Sequence, residues 1–266
     1  MNHKLNSIDV IIEKPILEYS SDMVVNSKFG PIIVNINDKY ISNDILNNRY
    51  WAESDIELIR QLLIVRLRTK NTVVFYDVGA NIGTHALAMS KLFGDRVKIR
   101  AFEAQSKIFN MMLGTIALNN ISNIDSHWIA VSDSIGQTLE LELPDYSKPN
   151  NFGGFELVKP RHTDNQDMIR SGLTEQVSTT TLDLFNETVD FIKMDIEGME
   201  HLAINGAICT IEKGRPMCFI EIKKTDAEKV FGFFRSRNYK IYLKADNAIF
   251  IPNEEPIIIE GLHQVN

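Results

Sequence analysis

Residues 72–77 (Thr-Val-Val-Phe-Tyr-Asp) form an unbroken β-branched and aromatic run that passes directly into a glycine turn, Val78-Gly79-Ala80-Asn81-Ile82-Gly83. A strand without polar alternation is buried on both faces, as at the centre of a parallel sheet with helices on each side. Glycine lets the backbone turn sharply and lie close to a ligand. Residues 84–93 then read as a helix, whose first N–H groups lack intrahelical partners. Parallel neighbours need crossover connections, so this one unit already points to an α/β layer architecture.

The rest of the chain repeats the unit. Residues 97–102 read as a second strand ending at Glu103, residues 106–119 as a helix, and residues 124–131 as a third strand ending at Ser132-Asp133. The rhythm resumes with a strand over 189–195, a helix over 199–213, a strand over 217–222 and a helix over 226–237. A terminal hairpin, 240–243 and 248–251 around the turn Ala245-Asp246-Asn247, adds an antiparallel strand. The expected fold is therefore doubly wound α/β and Rossmann-like, with a mostly parallel seven-stranded sheet and an antiparallel C-terminal strand. Residues 1–55 are short β-like pieces broken by turns such as Phe29-Gly30-Pro31, a small N-terminal β/α extension packing on the core. Residues 56–266 form the main domain, entered by an amphipathic helix from Ser54 to near Lys70. An inserted hairpin or loop interrupts it at about 134–178. There, residues 139–143 alternate as a half-exposed strand, and residues 144–174 are rich in Pro, Gly, Asn and Asp.

Composition excludes several classes. No apolar run approaches the roughly 18–20 residues that span a bilayer, and Asp9 and Glu13 interrupt the leading residues, so neither membrane insertion nor a secretory leader is expected. Cys209 and Cys218 are the only cysteines, which gives no disulfide framework. The formal net charge of −7 argues against nucleic acid as a partner, since phosphate binding needs a basic face. The expectation is a cytoplasmic protein.

Two constellations carry chemistry. In the first, the turn spacing is G-x-N-x-G. It lacks the lysine of a nucleoside triphosphate loop and differs from the dinucleotide pattern G-x-G-x-x-G. Glu103, at the end of the next strand, is placed to accept ribose hydroxyls of an adenosine group. Alone it would be an ordinary solvated carboxylate. The second is Lys193-Met194-Asp195-Ile196-Glu197-Gly198-Met199-Glu200-His201, where Lys193, Asp195, Glu197 and Glu200 border an apolar strand. Lys193 and Asp195 share a side by the period of two. Glu197 and Glu200 flank the following turn, where acids also serve as helix caps.

With these residues in place, the chain resembles a class I S-adenosylmethionine-dependent methyltransferase of the FkbM family. The resemblance rests on residues 77–83 (DVGANIG), Phe102-Glu103, Thr181-Leu182-Asp183, residues 193–200 (KMDIEGME), Asn205-Gly206-Ala207 and Phe219-Ile220-Glu221, and it covers about residues 50–252. One departure is Ala104, where the family usually has proline after Phe-Glu. The resemblance implies that Asp77, Gly79 and Asn81 line the methionine portion of S-adenosyl-L-methionine, with Ala80 and Gly83 among the other cofactor contacts. Glu103 would hold its ribose, Ser132 and Asp133 would lie near adenine, and Asp195 would sit where the methyl acceptor meets the sulfonium. It also implies O-methylation of a hydroxyl on a sugar or glycan: a nucleotide-linked sugar, a polysaccharide or a glycosylated natural product.

Asp195 is the expected general base or the group that orients it, with Glu221 and His201 as further candidates; His201 also reads as a helix-surface histidine. Tyr50, Trp51, His85, Lys193 and Glu197 are the expected substrate contacts, Tyr50 and Trp51 either walling a sugar face or stapling the extension to the core. The loop with Asn150, Asn151, Arg161 and His162 reads as an acceptor-selecting lid or as a disordered insertion. Asp195, Glu197, Glu221 and a histidine are candidate ligands for a divalent metal, which spacing alone does not establish. Two rivals are a nicotinamide-dependent sugar oxidoreductase and a non-catalytic module of the same fold. The first is disfavoured because none of the seven tyrosines is followed four residues later by lysine, the second by the intact set of strand-end acids.

Overall fold

Phe75 and Tyr76 are adjacent in sequence and both fully buried, on opposite faces of one strand. The structure, a computed structural model, describes residues 21–156 and 168–265. The leading segment with Asp9 and Glu13, and the loop residues Arg161 and His162, lie outside the described residues. The central strand β3 (Val73–Val78) pairs in parallel with β4 (Val97–Glu103) on one side and β9 (Phe191–Met194) on the other. β5 (Ile124–Trp128) continues the sheet beyond β4, and β10 (Met217–Glu221) continues it beyond β9. The hairpin of β11 (Tyr239–Lys244) and β12 (Asn247–Pro252) follows, β12 being antiparallel to β10. These are the seven expected strands. A short eighth, β13 (His263–Val265), extends the edge beside β11.

Helices α2 (Glu53–Arg66), α3 (Thr84–Phe93) and α4 (Ser106–Leu118) cover one face, where Ile59, Leu63, Met89 and Met112 meet Phe75 and Phe191. Helices α5 (Glu200–Asn205), α6 (Ile208–Gly214) and α7 (Ala227–Arg235) cover the other, where Ile204, Ile211 and Phe234 join the cluster of Tyr76 and Ile192. Full burial of each such side chain stabilises the fold by about 1.5–3 kcal/mol, and the double cover explains why these strands lack alternation. From β3 the chain builds outward through β4 and β5, then returns to lay down β9 and β10 on the opposite side. The carboxyl ends of β3 and β9 thus border the crevice where strand order reverses, the usual ligand position in open α/β sheets.

Two expected elements are divided. The third strand, expected over 124–131, ends at Trp128. Ile129 N–H donates to Glu103 O (3.0 Å), and the chain then leaves the main sheet. β6 (Ala130–Val131) pairs instead with β8 (Arg170–Thr180), which pairs with β7 (Thr138–Pro144) in a separate three-stranded sheet. Strand β8 therefore claims residues 170–174 from the expected loop. The helix expected over 199–213 is broken between α5 and α6. A Cβ on Gly206 would lie 2.1 Å from Ser132 O, so the backbone turns there against the strand it touches. Asp183 then accepts the N–H groups of Cys209 (3.0 Å) and Thr210 (2.7 Å), capping α6 afresh from outside the helix.

The hairpin of β1 (Asp22–Ser27) and β2 (Gly30–Asn35), with α1 (Ile41–Asn48), packs on α3 and α4. Ile32, Val34 and Ile45 share a buried cluster with Leu87, Ile108 and Met111. Among the described residues, no helix is long and apolar enough to cross a membrane.

Candidate functional site

The glycine turn is drawn across the end of β4, because Gly79 and Ala80 N–H both donate to Phe102 O (3.0 and 2.9 Å). Gly79 has φ +75°, and a Cβ there would come 1.8 Å from Asp195 O, so the position is closed to any side chain. Asn81 adopts φ 52°, and its side-chain Oδ1 accepts the Ile82 N–H (2.8 Å). The Asn81 N–H donates to Glu103 Oε2 (2.9 Å), while Glu103 Oε1 accepts the N–H groups of Ala104 and Gln105 (2.8 Å each). A carboxylate has about four acceptor sites; three are taken and one is open. Glu103 therefore keeps one acceptor site open in this geometry. Ala104 supplies one of those N–H groups, which the family's proline would lack. Burial pushes the Glu103 carboxyl up, against the pull of these three N–H groups and of Lys193.

Beneath the turn, the parallel register sets Lys193 of β9 beside Asp77 of β3. The Lys193 ammonium donates to Gly79 O (2.7 Å), lies 3.6 Å from Asp77 Oδ1 and is only 5% exposed. Asp77 is fully buried. Its Oδ2 accepts the Ala86 N–H (3.0 Å) and its Oδ1 has no hydrogen-bond partner. Burial raises Asp77, with Lys193 opposing. Burial, aided by Lys193, pushes the buried His85 imidazole down to about 3, so it is neutral at pH 7, and its Nε2 has no hydrogen-bond partner.

The turn after β9 gathers acids. Asp195, Glu197 and Glu221 each offer a carboxylate oxygen, all within 4.8 Å of one another. Glu197 has φ 55°, a left-handed conformation that a non-glycine residue holds only under constraint. Its carboxylate pairs with Lys224, whose ammonium also donates to Gly154 O (3.0 Å). Burial and the neighbouring Asp195 push Glu197 up to about 8 despite Lys224. Burial, Asp195 and Glu197 push Glu221 up to about 9, and Glu221 Oε2 is a buried atom without a hydrogen-bond partner. Glu200 is fully buried and braces the turn, accepting the N–H groups of Ile196 (2.8 Å) and Gly198 (3.0 Å). The three clustered carboxylates could hold a divalent cation through oxygen ligands; among the described residues no histidine joins them.

One cavity collects Gly79, Ala80, Asn81 and Glu103 with Lys193, Asp195 and Glu197. Trp51 and His85 also line it. Asp77, Gly83 and Glu221 lie outside its lining; Gly83 faces Met112, whose Cγ would be 2.9 Å from an added Cβ. Four more expected residues are not brought to it: Tyr50, Ser132, Asp133 and His201. In place of Ser132 and Asp133, the wall is Ile129, Ala130 and Val131, because β6 swings away to β8 and Ser132 N–H donates to Thr180 O (2.8 Å). Tyr40 and Ile41, at the start of α1, line the cavity where Tyr50 does not. The His201 ring meets Thr225, with Nδ1 3.3 Å from its Oγ1.

The sequence reading also missed part of the strap over residues 150–156. It placed Asn151 in a lid, and the lining adds Gly153 and Phe155. The strap is fixed by Asn150, whose N–H donates to Asn37 O (2.8 Å) and whose carbonyl accepts the Lys39 N–H (2.9 Å). Gln105 Nε2 holds it further along by donating to Phe152 O (2.9 Å). The Asn-Asn-Phe-Gly-Gly sequence within a polar insertion was the available signal.

A family model described as "Methyltransferase FkbM domain" matches residues 77–241. No curated protein matches the chain. Among similar solved structures is a methyltransferase FkbM from Methylobacillus flagellatus KT, with 16% identity, 68% of this chain covered and a TM-score of 0.48; the chain spans 43% of that protein's length. A precorrin-6y C5,15-methyltransferase from Geobacter metallireducens GS-15 has 12% identity, covers 73% of this chain and 85% of its own, and has a TM-score of 0.41. A putative transferase from Pyrococcus horikoshii has 11% identity, covers 87% of this chain and 71% of its own, and has a TM-score of 0.44.

Proposed function

The chain belongs to the FkbM methyltransferase family, and from that premise we propose that it transfers a methyl group from S-adenosyl-L-methionine to a hydroxyl of a sugar or glycan. The observation that carries this reading is the meeting, in one cavity, of the glycine turn, the strand-end acid Glu103 and the acid Asp195. The residues fit the donor. Glu103 keeps one acceptor site open for a ribose hydroxyl, and Ile129, Ala130 and Val131 give an apolar wall beside it for adenine. Gly79, Ala80 and Asn81 lie on the path toward Asp195, where the methionine portion would rest.

When bound, the donor supplies a methyl carbon on a positively charged sulfur, open to in-line displacement by an oxygen nucleophile. The protein aligns the acceptor oxygen with that carbon, and such alignment removes much of the barrier. Toward an acceptor hydroxyl aligned there, Asp195 would take the hydroxyl proton or hold the hydroxyl in line. A positioned base contributes ~10²–10⁴-fold. Glu197 stands next to Asp195 on the acceptor side, and Trp51 and His85 bound the same space.

The test is calorimetric titration with S-adenosylmethionine and with NADH, followed by transfer of labelled methyl to a panel of nucleotide sugars, oligosaccharides and lipid-linked saccharides. Binding of S-adenosylmethionine and label in a sugar product support the reading. Binding of NADH alone refutes it.

A further inference from the structure

Lys193 has a place in the cavity that the acceptor does not explain. Its side chain enters from β9, is almost wholly buried, and spends its one close hydrogen bond on the carbonyl of Gly79. Four other titratable groups face it from every element around it: Asp77 from β3, Glu103 from the end of β4, Asp195 from the turn after β9, and His85 from α3. Three of these are carboxyls, and His85 is neutral at pH 7. Lys193 is thus a cation that all three acids face. A buried ammonium is tolerated only when charges and hydrogen bonds compensate it, and here the compensation comes from both halves of the site at once. Gly79 packs against the Asp195 carbonyl without room for a Cβ, and Asp195 N–H donates to Val78 O (3.0 Å). The two turns are therefore one mechanical unit with Lys193 inside it.

We infer that Lys193 is a positioning residue: its ammonium ties the glycine turn to the strand-end acids and keeps Glu103 able to receive the ribose as a carboxylate. This inference rests on the methyl-donor reading above. The charge is the working part. Without it, the buried Asp77 and Glu103 lose the cation that faces both, and protonating one of them becomes the relief. Glu103 would then lose acceptor capacity at a higher pH than it does now.

The test uses S-adenosylhomocysteine, the demethylated donor, and the full chain, with binding measured calorimetrically from pH 5 to 9. Lys193→Gln keeps a hydrogen bond to Gly79 O and drops the charge; Lys193→Met drops both; Lys193→Arg keeps the charge. Circular dichroism checks folding of each. The expected result is at least a tenfold loss of affinity at pH 7 in the Gln and Met variants, with the acid limb of binding moved up by about one pH unit. The Arg variant should keep the wild-type limb whatever its affinity. A uniform loss at every pH in the Gln variant would mean packing alone and would overturn the inference, as would wild-type binding in that variant. If only the Met variant unfolds, the comparison of Gln with Arg decides. Should the wild-type chain bind no S-adenosylhomocysteine at any pH, the donor reading itself falls and this inference with it.

Discussion

Replacing Glu221 with glutamine should make the protein less sensitive to alkaline pH. Burial, Asp195 and Glu197 push the Glu221 carboxyl up to about 9 from an ordinary 4.5, and one of its oxygens has no hydrogen-bond partner. Between those two values the folded chain holds a proton that the unfolded chain has released. Stability is therefore complete below the lower value and falls as pH rises toward the upper one, by at most ~1.4 kcal/mol per pH unit. From pH 5 to 8 the ceiling is about 4 kcal/mol, and sharing of the repulsion with Glu197 brings the expected share of Glu221 to about 2 kcal/mol. Glutamine has no proton to lose, and its amide can donate to the neighbouring carboxylates. Urea unfolding of both proteins at pH 5, 6.5 and 8 measures this directly. The wild-type chain should lose about 2 kcal/mol more than the variant across that range. Parallel pH dependences would refute the electrostatic account of this cluster.

Three further outcomes follow from the site. Asp195→Asn should lower methyl transfer ~10²–10⁴-fold while calorimetry shows S-adenosylmethionine still bound; undiminished turnover removes Asp195 from proton transfer. Gly79→Ala places a Cβ 1.8 Å from Asp195 O at φ +75°, so thermal unfolding should show a loss of at least ~2 kcal/mol together with loss of donor binding. Ala104→Pro removes one of the three N–H groups on Glu103; calorimetry should show tighter S-adenosylhomocysteine binding, by ~10-fold if a second ribose hydroxyl takes the vacated site.

Much of the core was legible because its signals are local. The run from Val73 to Val78 and the glycine turn lie side by side in sequence, and burial on both faces leaves a mark that no half-exposed strand has. Glu103, Lys193 and Asp195 were visible for the same reason, as ionisable groups abutting apolar strands. The missing parts depend on contacts between distant segments. Trp128 ends β5 because Ala130 finds Thr179 as a partner, and nothing near Trp128 announces it. Gly206 breaks a helix because Ser132 passes 2.1 Å from where its Cβ would be. Ile129, Ala130 and Val131 line the cavity as plain apolar residues, where the resemblance points to Ser132 and Asp133.

Tyr40, Ile41 and Trp51 reach the cavity from a segment that precedes the family match at residue 77. The glycine turn, Glu103 and Asp195, by contrast, all lie inside the matched segment. Exchanging Tyr40, Ile41 and Trp51 should therefore change preference for the molecule being methylated while binding of S-adenosylmethionine persists.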